Sequence, residues 1–193
     1  MLKNGIDYSN ETLVLTIPRK EFYNEETNEF IEVQETTIRL KHSLLSLSKW
    51  EAKYERPFLD VRKPPNYEET LDYIRFMTLT QNVDPVVYLV LTNEHIKLVN
   101  DYLSASMTGT TFGDDKSNGG KRGSRNPMSA EVIYYYMSEF NIPWECQKWH
   151  LNRLLTLIRV CGIKKSPSKK SKGTAKNRAQ LNAARRRRSG SRG

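Results

Sequence analysis

Charge is segregated along this chain so sharply that it separates the part able to fold from the part that is not. From Lys164 onward there are twelve Lys or Arg, no Asp or Glu, and Leu181 as the sole large aliphatic residue. The whole chain carries +9, so residues 1–163 keep 19 basic against 22 acidic residues, a net charge of −3. A sequence pI near 9.5 therefore describes the last 30 residues and does not imply a basic groove on the body. Residues 164–193 bury too little apolar surface to offset their ordering entropy, and the expectation is a disordered basic tail. Residues 1–163 hold nearly all the aromatic and aliphatic side chains, enough for an ordinary core.

Within the body the hydrophobic period changes once. Thr12-Leu-Val-Leu-Thr-Ile17 is β-branched and apolar and is closed by Pro18. Ile31, Val33, Ile38 and Leu40 then alternate in part with polar residues beyond a turn at Asn24–Asn28, which predicts a small antiparallel hairpin or sheet in residues 1–42. From Ser43 the spacing becomes helical. Leu44, Leu47, Trp50 and Tyr54 fall on one face, and Pro57 stops the run. Asn66 with Glu69 is a capping box for a helix with Leu71, Ile74, Phe76, Met77 and Leu79. Asp84-Pro85 and Thr92 are further start signals, the second leading Ile96, Val99 and Leu103 either as a separate helix or as the same one continued after a kink. Ser129 with Glu131 opens a helix through Phe140. The expected last helix runs from Trp144 to Cys161, with Leu151, Leu154, Leu155 and Ile158 on its apolar face and Gly162 as terminator. The predicted fold class is α+β, mainly α. A small N-terminal antiparallel β-hairpin or sheet (1–42) packs with a bundle of about five helices (43–163) as one globular unit, followed by the tail.

Candidate chemistry is sparse. His42, His95 and His150 are scattered. Cys146 and His150 stand four apart and could offer two ligands to zinc, but nothing nearby supplies the other two, so a packed structural pair is the better reading. Ser117–Ser124 is Gly-rich, yet it lacks P-loop spacing and follows no apolar strand. Asp114-Asp115 sits in the same loop, residues 105–128, where carboxylates would not be held at catalytic geometry. No catalytic, metal or cofactor site is expected. Cys146 and Cys161 give no disulfide framework and read as buried thiols of a reducing compartment. No stretch approaches the ~20 apolar residues of a membrane helix, and no signal-like run opens the sequence.

What remains points to macromolecular binding. Tyr134-Tyr135-Tyr136 cannot all face one core, because successive helical residues diverge by about 100°, so at least one should be exposed or lie in an interface. Tyr134, Tyr135, Trp144 and Trp149 are thus the candidate partner-binding residues. The tail, with Lys169, Lys170 and Arg185, Arg186, Arg187 and Arg188, is a candidate electrostatic element for phosphates or acidic proteins, or else a solubilising appendage with no fixed partner. It has no interleaved aromatics for base stacking, so only nonspecific nucleic-acid binding is expected of it. Residues 175–188 are rich in helix formers and suited to folding on contact.

Several stretches resemble a family of long-tailed bacteriophages, the tail assembly chaperones. They are Leu47-Ser-Lys-Trp-Glu-Ala-Lys53, Pro57-Phe58-Leu59, Glu69-Thr-Leu-Asp-Tyr-Ile74, Met77-Thr-Leu-Thr80, Asn82-Val-Asp-Pro85, Trp144–Arg159 and the Asn182-Ala-Ala-Arg-Arg end. The resemblance covers roughly Leu40 to Gly162. It implies a non-catalytic protein of the infected bacterium's cytoplasm, not retained in the virion, that binds the tape-measure protein and assists assembly of tail-tube protein around it. The alternatives are a nucleic-acid-binding or packaging accessory protein acting through the tail, or a minor structural component of the virion. The sequence leaves oligomeric state open.

Overall fold

The computed structural model describes residues 2–3, 5–24, 28–112, 128–165, 180–185 and 190. The chain divides into two compact units, Met1–Arg159 and Val160–Gly193. The fold is α+β and mainly α: a small antiparallel sheet at the N-terminus is followed by helices.

Among the described residues six strands come first: β1 (Leu2–Lys3), β2 (Ile6–Asp7), β3 (Thr12–Ile17), β4 (Lys20–Asn24), β5 (Glu29–Val33) and β6 (Thr36–Leu40). They form a four-stranded sheet in the order β1-β2-β3-β6 and a separate β4-β5 ribbon. The β1–β2 turn needs a glycine. Gly5 has φ +75°, and a Cβ there would meet the Val14 carbonyl oxygen at 2.9 Å, the residue whose N–H bonds the Gly5 carbonyl. In β3 and β6, Leu13 faces Leu40 and Leu15 faces Ile38. The period-2 pattern therefore puts Leu13, Leu15, Ile17, Ile38 and Leu40 together in the core, while Val14, Thr16, Thr37 and Arg39 take the other face.

Helices α1 (Leu44–Tyr54), α2 (Tyr67–Met77) and α3 (Asn93–Ser104) start at Ser43, Asn66 and Thr92, each closing a capping box. Trp50, Tyr73, Ile74, Met77, Val99 and Tyr102 complete one core with the sheet. Asp84-Pro85 starts a 3-10 turn, Pro85–Tyr88, and no α-helix. Helix α2 stops at Met77, not Leu79. Thr78 is extended and bridges to Leu40, the Leu79 N–H donates to the Arg39 carbonyl, and the Leu79 side chain is exposed. Sheet pairing has overridden the helical pattern there.

Helix α4 is Ala130–Glu139. The single helix expected from Trp144 to Cys161 is instead two elements, a 3-10 turn at Trp144–Lys148 and α5 at Leu151–Lys165. Its break lies at Trp149-His150, where the Leu151 N–H is taken by the His42 carbonyl at 2.9 Å. Cys146 and His150 consequently do not share a helix. Nor does Gly162 end α5: a helical glycine costs only about 1 kcal/mol against alanine, and Lys164 and Lys165 favour the negative end of the helix dipole. The tail boundary expected at 164 thus falls inside α5. Residues 180–185 are helical and exposed, as Ala, Leu, Gln and Arg favour. The other tail residues singled out by sequence, Lys169, Lys170 and Arg186 to Arg188, lie outside the described residues, as do Asp114-Asp115 and Ser117–Ser124 of the long loop. No helix among the described residues is long and apolar enough to cross a membrane.

Candidate functional site

Helix α4 carries two of the four aromatic residues predicted for a partner, Tyr134 and Tyr135, and both of its ends are fixed. Ser129 stands at the N-cap but makes no capping bond. Its role falls to Glu51 of α1, whose Oε2 accepts the Ala130 N–H at 2.7 Å while Oε1 accepts the Phe58 N–H at 2.9 Å. Burial pushes the Glu51 carboxyl up, and those two N–H donors pull against that shift. A carboxylate also suits the positive end of the α4 dipole. At the other end Asn141 adopts the left-handed conformation, φ 52°. The Ile142 N–H reaches the Met137 carbonyl at 2.8 Å and the Asn141 N–H reaches Ser138 at 3.1 Å. This is a Schellman closure, sealed by the buried side chains of Met137 and Ile142.

With Ala130, Ile133 and Met137 facing inward, helical geometry turns Tyr135 outward, and it is 62% exposed. Tyr134 and Tyr136 sit half-buried on either side. The four predicted residues do not form one cluster. Tyr134 meets Trp144, ring centroids 5.9 Å apart, and bonds Gln147; Trp144 is 54% exposed. Tyr135 pairs instead with Tyr136 at 5.6 Å, and Tyr136 stacks on Phe140. Trp149 belongs elsewhere, half-buried beneath the Arg153 guanidinium at 4.1 Å.

Arg153 leads to a polar cluster that sequence reasoning missed. It donates to Glu11, which follows β2 with φ 53°. The Glu11 carboxylate also accepts the His150 N–H at 2.9 Å and lies 3.8 Å from the Lys41 ammonium. Burial works to raise the Glu11 carboxyl, but the His150 N–H and the Arg153 guanidinium prevail and hold it below the usual carboxylate range. Tyr102 donates its hydroxyl to the Glu11 carbonyl at 2.8 Å and accepts the His42 N–H at 2.9 Å. His42 Nδ1 and the Tyr73 hydroxyl are 2.6 Å apart. His150 Nδ1 accepts the Asn152 N–H, which leaves Nε2 protonated to donate to the Tyr102 carbonyl at 3.2 Å. The two imidazoles meet edge to face at 5.1 Å.

Both imidazoles are neutral at physiological pH. Burial, with His150 alongside, depresses His42 to about 3. Burial likewise lowers His150 to about 4, against the Tyr102 carbonyl and Glu11, which favour its charged form. Desolvation raises the Tyr73 and Tyr102 hydroxyls. This network ties together the β2–β3 turn, the end of β6, α2, α3 and the start of α5. Cys146 is buried in the 3-10 turn with its thiol pushed up by burial. Among the described residues no three His, Cys, Asp or Glu side chains gather as a metal site. The only sequence hint of this cluster was that three histidines stood without an assigned task. No family model, characterised protein or solved structure matches this chain.

Proposed function

We propose that this protein is a non-catalytic assembly chaperone of a long-tailed bacteriophage, acting in the cytoplasm of the infected bacterium and absent from the finished virion. Its client is the tape-measure protein, and it assists assembly of tail-tube protein around that client. One observation carries the binding part of this reading: Tyr135 and Trp144, 62% and 54% exposed, are displayed on elements anchored by Glu51 and by the Asn141 closure. Large exposed aromatics on a rigid support are the usual anchors of a protein interface. The identity of the client rests on the family resemblance in the sequence.

The test is affinity purification of the tagged protein from infected cells, with nuclease and about 200 mM salt to remove phosphate-driven contacts, followed by mass spectrometry. Recovery of the tape-measure or tail-tube protein is expected, and Tyr135→Ala with Trp144→Ala should reduce it while the protein stays folded. A second reading rests on the twelve tail cations, which suit a nucleic-acid-binding or packaging role. Under that reading every partner is lost at raised salt and nucleic acid is recovered when salt and nuclease are omitted. Presence in purified particles would instead favour a minor structural component.

A further inference from the structure

The charge around the exposed aromatics selects among helical partners. Residues 129–147 contain three glutamates, Glu131, Glu139 and Glu145, and no Lys or Arg, although the chain as a whole is basic. On α4 the positions 131, 135 and 139 are spaced i, i+4, i+8 and form one row, so the exposed Tyr135 lies between two exposed carboxylates. The neighbouring row is Val132, Tyr136 and Phe140, the first exposed and the others half-buried. The Ser129 hydroxyl donates to Glu131 at 2.7 Å and holds that carboxyl below its usual range. Elsewhere the exposed Tyr23–Phe30 pair on the β4-β5 ribbon, 5.1 Å between rings, is accompanied by an Arg19–Glu32 ion pair. Glu21 and Glu32 lie beside that pair on the same face, so acidic charge is not confined to α4, and a Tyr23→Ala control tests which face is used.

We infer that the outer face of α4 docks a helical segment of a partner protein whose apolar stripe meets Val132, Tyr135, Tyr136 and Phe140 and whose flanking Lys or Arg meet Glu131 and Glu139. Apolar contact supplies the affinity and the carboxylates select the charge of the flanks. Aromatic rings beside the carboxylates add cation–π attraction for the same flanks. This names the chemistry of the client segment, and it rests on the reading above that the client is the tape-measure protein, which the family resemblance implies is long and helical.

Two synthetic amphipathic helices of about 20 residues, with the same leucine stripe and either Lys or Glu flanks, are titrated against the full chain at about 150 mM salt. Nonspecific attraction to a chain of net charge +9 would favour the Glu-flanked probe. Because residues 1–163 carry −3, a preference for the Lys-flanked probe is assigned to α4 by its loss in the α4 variants. The expected result is that the Lys-flanked probe binds about tenfold more tightly, that Tyr135→Ala removes about tenfold, and that Glu131→Lys with Glu139→Lys inverts the preference. Tyr23→Ala on the ribbon should change nothing. Equal binding of both probes, preference for Glu flanks, or indifference to the α4 substitutions overturns the inference. So does a dimer that Tyr135→Ala abolishes, since a second copy would then occupy the face. Tape-measure protein recovered equally by the wild type and the Glu131→Lys/Glu139→Lys variant overturns this inference and leaves the chaperone reading standing. Probe binding as expected, with no tail protein recovered from infected cells, does the reverse.

Discussion

Tyr102 and Tyr135 are the same side chain put to opposite uses. Tyr102 is fully buried, and its hydroxyl accepts from His42 and donates to Glu11. Tyr135 displays its ring to solvent and pairs with the ring of Tyr136. The first region tolerates buried polar side chains because almost every one is matched; among the described residues only Thr12 Oγ1 is a buried side-chain oxygen or nitrogen without a partner. The second keeps large apolar surface out of the core on a helix whose ends are pinned. Fold stability should therefore depend on the polar cluster and be nearly blind to the aromatic face, with binding showing the converse dependence.

Acid should break the first region most severely. His42 and His150 ionise near 6.5 when unfolded but near about 3 and about 4 when folded. Below pH 6.5 the unfolded chain takes up protons that the folded one refuses, so stability is present above that pH and is lost as pH falls. Each histidine contributes a slope of up to about 1.4 kcal/mol per pH unit, or several kcal/mol in total by pH 4. Glu11, depressed when folded, adds to the loss further down. Urea unfolding between pH 7 and 4 measures this, and His42→Gln should remove about half of the slope. A pH-independent midpoint would mean that the imidazoles are not held neutral by the fold.

Removing the carboxylate itself comes next. Glu11→Ala strips a partner from Arg153, Lys41 and the His150 N–H. Breaking a largely buried charge network from one side costs about 3 kcal/mol, read as a lowered urea midpoint at pH 7. A loss under about 1 kcal/mol would show that water replaces the carboxylate freely.

These two predictions concern residues that local sequence reading could not bring together. Ser43, Asn66 with Glu69, and Thr92 announced their helices because a cap and its helix lie within a few residues of each other. The inward residues of β3 and β6 were visible for the same reason, since period 2 is a local signal. Glu11 and His150 meet across 139 positions, and Glu51 reaches Ala130 across 79. No spacing rule encodes such pairings. The break at Trp149-His150 went unseen because an apolar pattern continues through it, while a distant carbonyl, that of His42, takes the Leu151 N–H. Within the candidate site, exposure of one residue among Tyr134–Tyr136 followed from helix geometry. The separation of Trp149 from Tyr134 and Trp144 did not, because Arg153 draws it toward Glu11.

The comparison is sharpest with one atom removed from each tyrosine. Tyr102→Phe keeps the ring and its edge contact with His150 but strands the His42 N–H and the Glu11 carbonyl in a dry site. Each unmatched group costs about 1–3 kcal/mol, so with two of them a loss of at least about 2 kcal/mol in urea unfolding is expected. Tyr135→Phe removes an exposed hydroxyl and should stay within about 0.5 kcal/mol of the wild type. Similar losses for both would place Tyr135 in the load-carrying packing of α4 and deny it to a partner. Near-zero change for both would show that the Tyr102 hydroxyl is dispensable and that the cluster is held mainly by Glu11 and its cations. Only the asymmetric outcome separates a residue kept for folding from one left available for binding.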